Sequence, residues 1–137
     1  MLHHVELYVG DLDRSMAFWV PFMQRLGYET ERWSGGVNFV RGARDPYLCF
    51  LPAPAEHLAA GYHRKRVGLN HLAFGVDSVA DVDNAAEWLT ERGIEHLFGT
   101  PRHRPEFSSD DKTTYYQVMF ESPDKLLFEI VYTGPHQ

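Results

Sequence analysis

The sequence predicts an α+β fold made of two βαβββ modules. Three observations support this prediction. The order strand, helix and three strands can be read twice along the chain, and matched residues recur at a nearly constant offset. His4 corresponds to His71 at an offset of 67, and Gly27 corresponds to Gly93 at an offset of 66. A length of 137 residues suits a single domain, so we expect one domain over residues 1–137.

The first module begins with a strand and continues with a helix. Residues 2–9 alternate between apolar and polar side chains, which is typical of a half-buried strand. Residues 10–13 offer carboxylates that can cap a helix, and apolar residues follow at helical spacing until Gly27. Three strand-like runs complete the module, at residues 28–33, 36–41 and 47–51.

The second module repeats this order. Residues 69–76 predict a strand, and Asp77 and Ser78 can open a helix that ends at Gly93. The remaining strands are predicted at residues 94–98, 115–120 and 126–132, with a long loop over 99–114. The predicted boundaries are therefore about 1–52 for module one, about 53–66 for a linker and about 67–137 for module two.

A cleft is the expected consequence of this architecture. One helix can cover only one face of a four-stranded sheet, so the other face of each module must meet its copy. Two such sheets side by side would form a curved mixed sheet with a concave inner face. Because the apolar residues of each first strand face the helix, His4 and His71 should point into this cleft, where we expect a small molecule to bind.

A carboxylate in the last strand suggests a metal site. Glu129 stands between Phe128 and Ile130, and an unpaired buried carboxylate is costly. If the strand alternates, Glu129 faces the cleft together with His4 and His71. Two imidazoles and a carboxylate predict one divalent metal: Fe, Mn, Ni or Co with about three open positions, or Zn with one. The alternative is a cleft whose polar residues bind an organic ligand without a metal.

Several other polar residues are candidates for a role in the cleft. Glu129 could act as a general base by loosening from the metal, and Glu6 and Tyr8 share the face of His4, so either could orient a substrate or transfer a proton. The basic segments 62–66 and 102–104 could attract an anionic group, the second as part of a mobile lid; a solvated surface is the simpler interpretation.

Composition excludes several classes of partner. With 13 Lys and Arg against 19 Asp and Glu, the net charge of −6 argues against nucleic acid and anionic membranes as partners. No apolar run approaches the ~18 residues that a membrane span needs. The single cysteine, Cys49, cannot form an internal disulfide, so a cytoplasmic location is the natural expectation.

Three segments in this order resemble the vicinal oxygen chelate superfamily, which includes glyoxalase I, extradiol dioxygenases, fosfomycin-resistance enzymes and bleomycin-binding proteins. The resemblance covers nearly the whole chain, and its carriers are HVELYVGDLDRS at residues 4–15, NHLAF at 70–74 and the segment 120–130. It implies a glyoxalase-like fold, metal ligands at His4, His71 and Glu129, and a homodimer.

Two departures from the family patterns bear on the reaction. The four-ligand glyoxalase pattern has a Glu where Cys49 stands, which argues against the methylglyoxal-glutathione reaction. Extradiol dioxygenases usually have a Tyr at the position of Met119, for which Tyr115 or Tyr116 could substitute.

The resemblance implies a metal-dependent enzyme that chelates a small oxygenated substrate through vicinal oxygens. Isomerase, lyase, transferase and dioxygenase chemistry all remain open. The alternative that it implies is a protein that sequesters a drug or metabolite without catalysis, similar to bleomycin resistance proteins.

Overall fold

Two βαβββ units make up the protein, as the sequence repeat predicts. The computed structural model describes residues 1–137, which divide into a first unit, Met1–Tyr62, and a second unit, His63–Gln137. Each unit contains one four-stranded mixed sheet and one long helix. The predicted α+β class and the repeated element order are therefore confirmed.

The first unit contains four strands in the order β1-β4-β3-β2. Strands β1 and β4 run parallel, whereas β4, β3 and β2 are joined by antiparallel pairs. A short 3₁₀ helix, Ala55–Ala60, follows the last strand. The principal elements are β1 His4–Val9, α1 Leu12–Arg25, β2 Glu29–Trp33, β3 Gly36–Val40 and β4 Tyr47–Pro52.

Helix α1 begins and ends at the predicted residues. The Asp11 carboxylate accepts a hydrogen bond of 3.0 Å from the Arg14 amide, which satisfies one of the free N–H groups of the first turn. Gly27 follows the helix with a φ of +83°, a conformation that favours glycine. The helix packs its fully buried Trp19 against Phe50 of β4, with ring centroids 5.2 Å apart.

The second unit has the same topology, with strand order β5-β8-β7-β6. Strands β5 and β8 run parallel, and the other two pairs are antiparallel. The helix begins after Ser78, whose hydroxyl accepts from the Asp81 amide at 3.1 Å. The principal elements are β5 Leu72–Gly75, α2 Val79–Glu91, β6 Leu97–His103, β7 Thr113–Glu121 and β8 Leu127–Pro135.

Neither α1 nor α2, nor any shorter helix in the structure, has the length and apolar character needed to cross a membrane.

The boundaries predicted for the second strand of this unit were wrong. A strand was expected at residues 94–98 and a loop at 99–114, but β6 runs from Leu97 to His103 and β7 already begins at Thr113. Gly99 and Pro101 suggested a loop, yet proline is tolerated on edge strands, and β6 is the edge of its sheet. The connection is a short segment that contains a 3₁₀ helix, Pro105–Phe107.

The strand registers reveal which residues occupy equivalent positions in the two units. Glu6 of β1 stands opposite Cys49 of β4, and Ala73 of β5 stands opposite Glu129 of β8. Since Glu6 and Ala73 each lie two residues after the repeated histidine, Cys49 is the positional counterpart of Glu129.

Candidate functional site

The second unit contains a cavity of about 810 Å³. Its walls come from the segment that precedes β5 and from one face of the sheet formed by β6, β7 and β8. Successive side chains of a strand point to opposite faces, so the alternate residues of β7 that line the cavity share one face of the sheet. These residues are Tyr115, Gln117 and Met119.

Glu129 is the buried acid of this cavity. It is 2% exposed and lies on β8 between the fully buried Phe128 and Ile130. The Tyr115 hydroxyl donates a hydrogen bond of 2.7 Å to Glu129 Oε1. His71 Nε2 lies 3.1 Å from the other carboxylate oxygen, Oε2. A carboxylate at this depth requires such partners, and both are side chains of the same unit.

Hydrogen bonds hold His71 in one orientation. Asn70 Nδ2 donates to the Arg64 carbonyl at 3.5 Å, which directs the Asn70 amide oxygen toward His71 Nδ1, 2.7 Å away. An amide oxygen can only accept, so this network assigns the ring proton to Nδ1. In neutral His71 the Nε2 lone pair then faces Glu129. A position between an imidazole lone pair and a carboxylate oxygen attracts a proton or a metal cation.

The donor set formed by His71 and Glu129 fits a divalent metal. Two donor atoms that each lie about 2.1 Å from one ion are roughly 3.0 to 3.4 Å apart at octahedral or tetrahedral angles. The observed separation of 3.1 Å falls in that range. Metal-binding histidines usually hydrogen-bond through the ring nitrogen that does not contact the metal, and Asn70 is the partner of that nitrogen in His71.

The other three predicted site residues lie on β1 of the first unit. The His4 ring stacks on Tyr47 with centroids 4.9 Å apart, and His4 Nε2 lies 3.9 Å from Glu6 Oε1. Tyr8 is 63% exposed. His3 contacts the His4 ring, with 2.8 Å between their Nδ1 atoms.

The structure thus brings together His71 and Glu129 in one unit, and His4 and Glu6 in the other. It contains no group of three or more His, Cys, Asp or Glu side chains placed to hold a metal ion. That His4 acts as a ligand, and that Glu6 or Tyr8 acts in catalysis, stay predictions.

Tyr115 is a proton donor held beside the buried carboxylate. Burial raises the pKa of Tyr115 to about 12, and the hydrogen bond to Glu129 and the charge of that carboxylate contribute in the same direction. Its hydroxyl therefore stays protonated across the neutral range. From the sequence, Tyr115 was a candidate only as a replacement for the dioxygenase tyrosine that is absent at Met119. The strand register that directs Tyr115 toward Glu129 cannot be read from the sequence alone.

Positive charge surrounds the cavity. Four cationic residues line it: Arg64, Lys65, Arg102 and Arg104. Arg64 is paired with Glu121, and Arg104 with Glu106 at 2.6 Å, whereas neither Lys65 nor Arg102 makes a salt bridge. The Arg104 hydrogen bond lowers the pKa of Glu106, and the charge of Arg102 adds a smaller contribution.

Sequence reasoning gave no role to several residues of the cavity, among them Phe98 and Gln117. Phe98 is 52% exposed and has a φ of +59°, which is uncommon for a residue with a side chain. Gln117 is buried, and its neighbours along β7 are mainly apolar or aromatic. A buried glutamine among such residues was the one available signal, since burial of an amide requires a partner.

Comparison with known proteins places this architecture in a family. The model of the Glyoxalase/Bleomycin resistance protein/Dioxygenase superfamily matches residues 1–130. The uncharacterized protein YqjT of Bacillus subtilis (strain 168) is 41% identical over 131 residues, which cover 95% of this chain and 97% of YqjT.

Solved structures agree with this assignment. A protein of Bacillus halodurans, assigned provisionally as a glyoxalase, is 37% identical, with a TM-score of 0.80 over 96% of this chain and 95% of that one. The fosfomycin resistance protein FosX of Listeria monocytogenes shares the fold, with 22% identity and a TM-score of 0.68 over 96% of this chain and 89% of its own. The chain therefore belongs to the Glyoxalase/Bleomycin resistance protein/Dioxygenase superfamily.

Proposed function

We propose that this protein is a metal-dependent enzyme that binds a small oxygenated substrate through two neighbouring oxygens, with His71 and Glu129 as metal ligands. The observation that carries the proposal is the 3.1 Å separation of His71 Nε2 and Glu129 Oε2 on the wall of the cavity. A divalent ion held there would supply Lewis-acid stabilisation of negative charge that develops on the substrate. Iron, nickel, zinc, manganese and cobalt all accept this donor set.

The surrounding residues suit proton transfer. The Tyr115 hydroxyl is held protonated and can donate a hydrogen bond to a substrate oxygen as that oxygen gains charge. The Glu129 carboxylate accepts the hydrogen bond from Tyr115 at Oε1 and could serve as the base that removes a proton from the substrate by loosening from the metal. Glu6 and Tyr8 remain proposed contributors from β1.

Isomerase, lyase, transferase and dioxygenase reactions are all compatible with the proposed site. Cys49 occupies the position equivalent to Glu129 in the first unit, which disfavours a set of two histidines and two carboxylates. Met119, directly opposite Glu129, lines the cavity where a dioxygenase tyrosine would be expected. We propose His4 as a third ligand.

Metal content tests this proposal. Protein purified without an affinity tag or chelator is analysed by plasma mass spectrometry, before and after incubation with each ion. We expect about one metal per chain in the wild type, and loss of at least tenfold in affinity for His71→Ala and for Glu129→Gln, since each removes one ligand. His4→Ala is expected to weaken binding if His4 is the third ligand.

The matched control is His103→Ala. His103 lies in the second unit and is hydrogen-bonded to Thr114 at 2.6 Å, but it does not line the cavity. This variant should keep the metal. A wild type that stays empty after incubation with all five ions, or equal loss in His103→Ala, would contradict the proposal.

A second candidate function is sequestration of an aromatic drug or metabolite. The exposed rings of Phe98 and Phe107, which line the cavity with Tyr115, favour it because they offer stacking surfaces to a flat ligand. In that case the chain binds aromatic compounds equally well with and without metal, and His71→Ala retains binding. Turnover that depends on metal would exclude sequestration as the main role.

We further propose that the protein is a cytoplasmic homodimer. The family resemblance supports the dimer, and the single, buried cysteine supports the location. Analytical ultracentrifugation tests the dimer: sedimentation at the 15.8 kDa mass of one chain across micromolar concentrations would exclude it.

A further inference from the structure

The cavity has a cationic pole that the proposed chemistry does not use. Lys65 and Arg102 line the cavity without a salt bridge, although the chain carries a net charge of −6. The Arg102 Nε donates to the Phe98 carbonyl at 3.3 Å, which orients its guanidinium and leaves the remaining donors for a ligand. Only one carboxylate, Glu129, lines the same cavity. The pole is therefore attractive to an anion.

An irregularity in β6 directs Arg102 toward the cavity. The register pairs Leu97 with Met119 and Arg102 with Gln117, so the four residues 98–101 stand opposite the single residue Val118. Phe98 and Gly99 within this bulge both have positive φ values. Bulges of this kind redirect side chains and are frequent beside active sites. The bulge places Arg102 directly across from Gln117, and side chains of directly paired residues lie on the same face of a sheet.

Gln117 provides an independent indication that a ligand binds on this face. Its side chain is 1% exposed and lines the cavity, and its amide oxygen has no hydrogen-bond partner. A buried amide group without a partner costs about 1 to 3 kcal/mol, so such groups are rare in folded proteins. Whichever way the amide is turned, its partnerless end keeps an unused capacity for one hydrogen bond.

The spacing between the strands sets the size of the ligand. Arg102 lies on β6 and Glu129 on β8, with β7 between them. Neighbouring strands are about 4.8 Å apart, so two strand spacings separate these positions by roughly 10 Å. A molecule that reaches both ends has a length of several bonds, and the aromatic ring of Phe98 lies beside its path along the cavity wall.

We propose that Arg102, Lys65 and Gln117 form an anion-binding subsite. Arg102 and Lys65 supply positive charge, and Gln117 supplies a hydrogen bond to the same ligand. The substrate therefore carries a carboxylate, phosphate or phosphonate group. The anionic group lies at the β6 end of the cavity, and the oxygens that meet His71 and Glu129 lie toward β8. This inference rests on the proposed function because it names the class of substrate for the same cavity.

Binding of simple probes tests the subsite. Titration calorimetry measures the dissociation constants of phenylphosphonate, benzoate and the uncharged benzamide for the full-length protein. We expect Arg102→Gln to weaken the binding of the preferred anion at least about tenfold, since a charge-assisted hydrogen bond contributes on that scale. Arg102→Lys keeps the charge but loses the fork of donors, so it should be intermediate. Benzamide binding should not change in either variant.

Arg32→Gln is the matched control. Arg32 lies on β2, the edge strand of the first sheet as β6 is of the second, and it is also exposed. Its loss changes the net charge equally and should alter binding by less than about twofold. Gln117→Leu should raise the dissociation constant of the preferred anion several fold. The melting temperature of each variant shows whether it is folded.

The outcomes separate the subsite from the metal. A preference for phenylphosphonate or for benzoate identifies the anion, and either supports the proposal if Arg102→Gln abolishes that preference. Equal weakening by Arg32→Gln, or binding of neither anion by the folded wild type, overturns it. The titrations are made on metal-free and on metal-incubated protein, so anion binding without any metal uptake would reject the proposed function while retaining the subsite.

Discussion

At the scale of single residues, the tyrosine beside Tyr115 forms a second phenol–carboxylate pair, in which the carboxylate is exposed. The Tyr116 hydroxyl donates a hydrogen bond of 2.7 Å to Asp83 Oδ1, which links β7 to α2. Burial raises the pKa of Tyr116 to about 12, and the hydrogen bond to Asp83 and its charge add to the effect. Neighbouring residues of β7 point to opposite faces, so Tyr115 serves the cavity while Tyr116 serves the helix.

Replacement of Asp83 is expected to shift this titration. Asp83→Asn removes the charge beside the hydroxyl, so the pKa of Tyr116 should fall from about 12, although burial keeps it above the ordinary value near 10. Carbon-13 NMR of tyrosine-labelled protein measures the pKa, and Tyr116→Phe assigns the resonance.

The control for this prediction is Glu87→Gln, one turn further along α2. It removes the same charge from the helix without touching the hydroxyl, so the titration of Tyr116 should stay in place. Because the pKa of Tyr116 is raised in the folded protein, its protonated hydroxyl stabilises the fold. This contribution to the free energy of unfolding is complete below pH 10 and is lost as the pH rises through about 12. An unchanged titration in Asp83→Asn would contradict the assignment.

Sequence reasoning at the scale of single residues depends on local patterns. Alternation and the repeat predicted that His71 and Glu129 share one face, and the structure places His71 Nε2 3.1 Å from Glu129 Oε2. That the two residues bind a metal together with His4 stays a prediction. Asn70 and Gln117 could not be assigned roles in the same way. Asn70 contacts the Arg64 carbonyl and His71 in the segment before β5, whereas Gln117 pairs with Arg102 across the sheet. A strand pattern carries no information on loop contacts or on register.

At the scale of elements, helices were predicted better than the strands that follow them. Both helices have the expected caps and stops because caps and stops are local, encoded within a few residues at each end. Strand β6 was misplaced because its bulge contains Gly99 and Pro101, residues that favour a loop when pairing is unknown. Its partner β7 supplies the hydrogen bonds that keep it a strand.

Gly36 allows β3 and β4 to approach closely in the first sheet. A Cβ at Gly36, the first residue of β3, would lie 2.3 Å from the Phe50 carbonyl oxygen, a backbone atom that cannot move aside. Gly36→Ala should therefore lower the free energy of unfolding by about 1 to 3 kcal/mol. Chemical denaturation with urea measures the difference.

Gly75→Ala is the matched control, since Gly75 ends β5 and a Cβ there would meet no atom within 4 Å. This substitution should be neutral or stabilise by up to about 1 kcal/mol, because alanine has less freedom in the unfolded chain. Equal effects at the two positions would show that the contact with Phe50 does not limit β3.

At the scale of the whole molecule, the repeat was predictable because it depends on the order of elements and not on their exact ends. The matched strand orders β1-β4-β3-β2 and β5-β8-β7-β6 confirm it. The prediction of a single domain over the whole chain is a statement about cooperativity. It is testable through the one cysteine, which lies in the first unit.

Cys49 should report the unfolding of the chain. It is 3% exposed, and burial together with the charge of Glu6 raises the pKa of its thiol, so both access and reactivity are low in the native state. We expect slow labelling by a disulfide reagent in the native protein, with a rate that rises with urea.

The fluorescence of Trp88, isolated by Trp19→Phe and Trp33→Phe, reports the second unit in the same titration. Coincident transitions would support one cooperative domain. Labelling that is complete before Trp88 changes would show that the units unfold separately, and the expectation of a single domain would then be rejected.

The register equivalence of Cys49 and Glu129 has an evolutionary meaning. A chain that holds two copies of one unit can keep a demanding chemical role in one copy while the other drifts, just as duplicated genes diverge. The first unit carries a thiol where the second carries a carboxylate, so the two copies differ at this equivalent position. Position 49 is therefore a second, already folded place in the same chain at which a substitution could introduce a carboxylate.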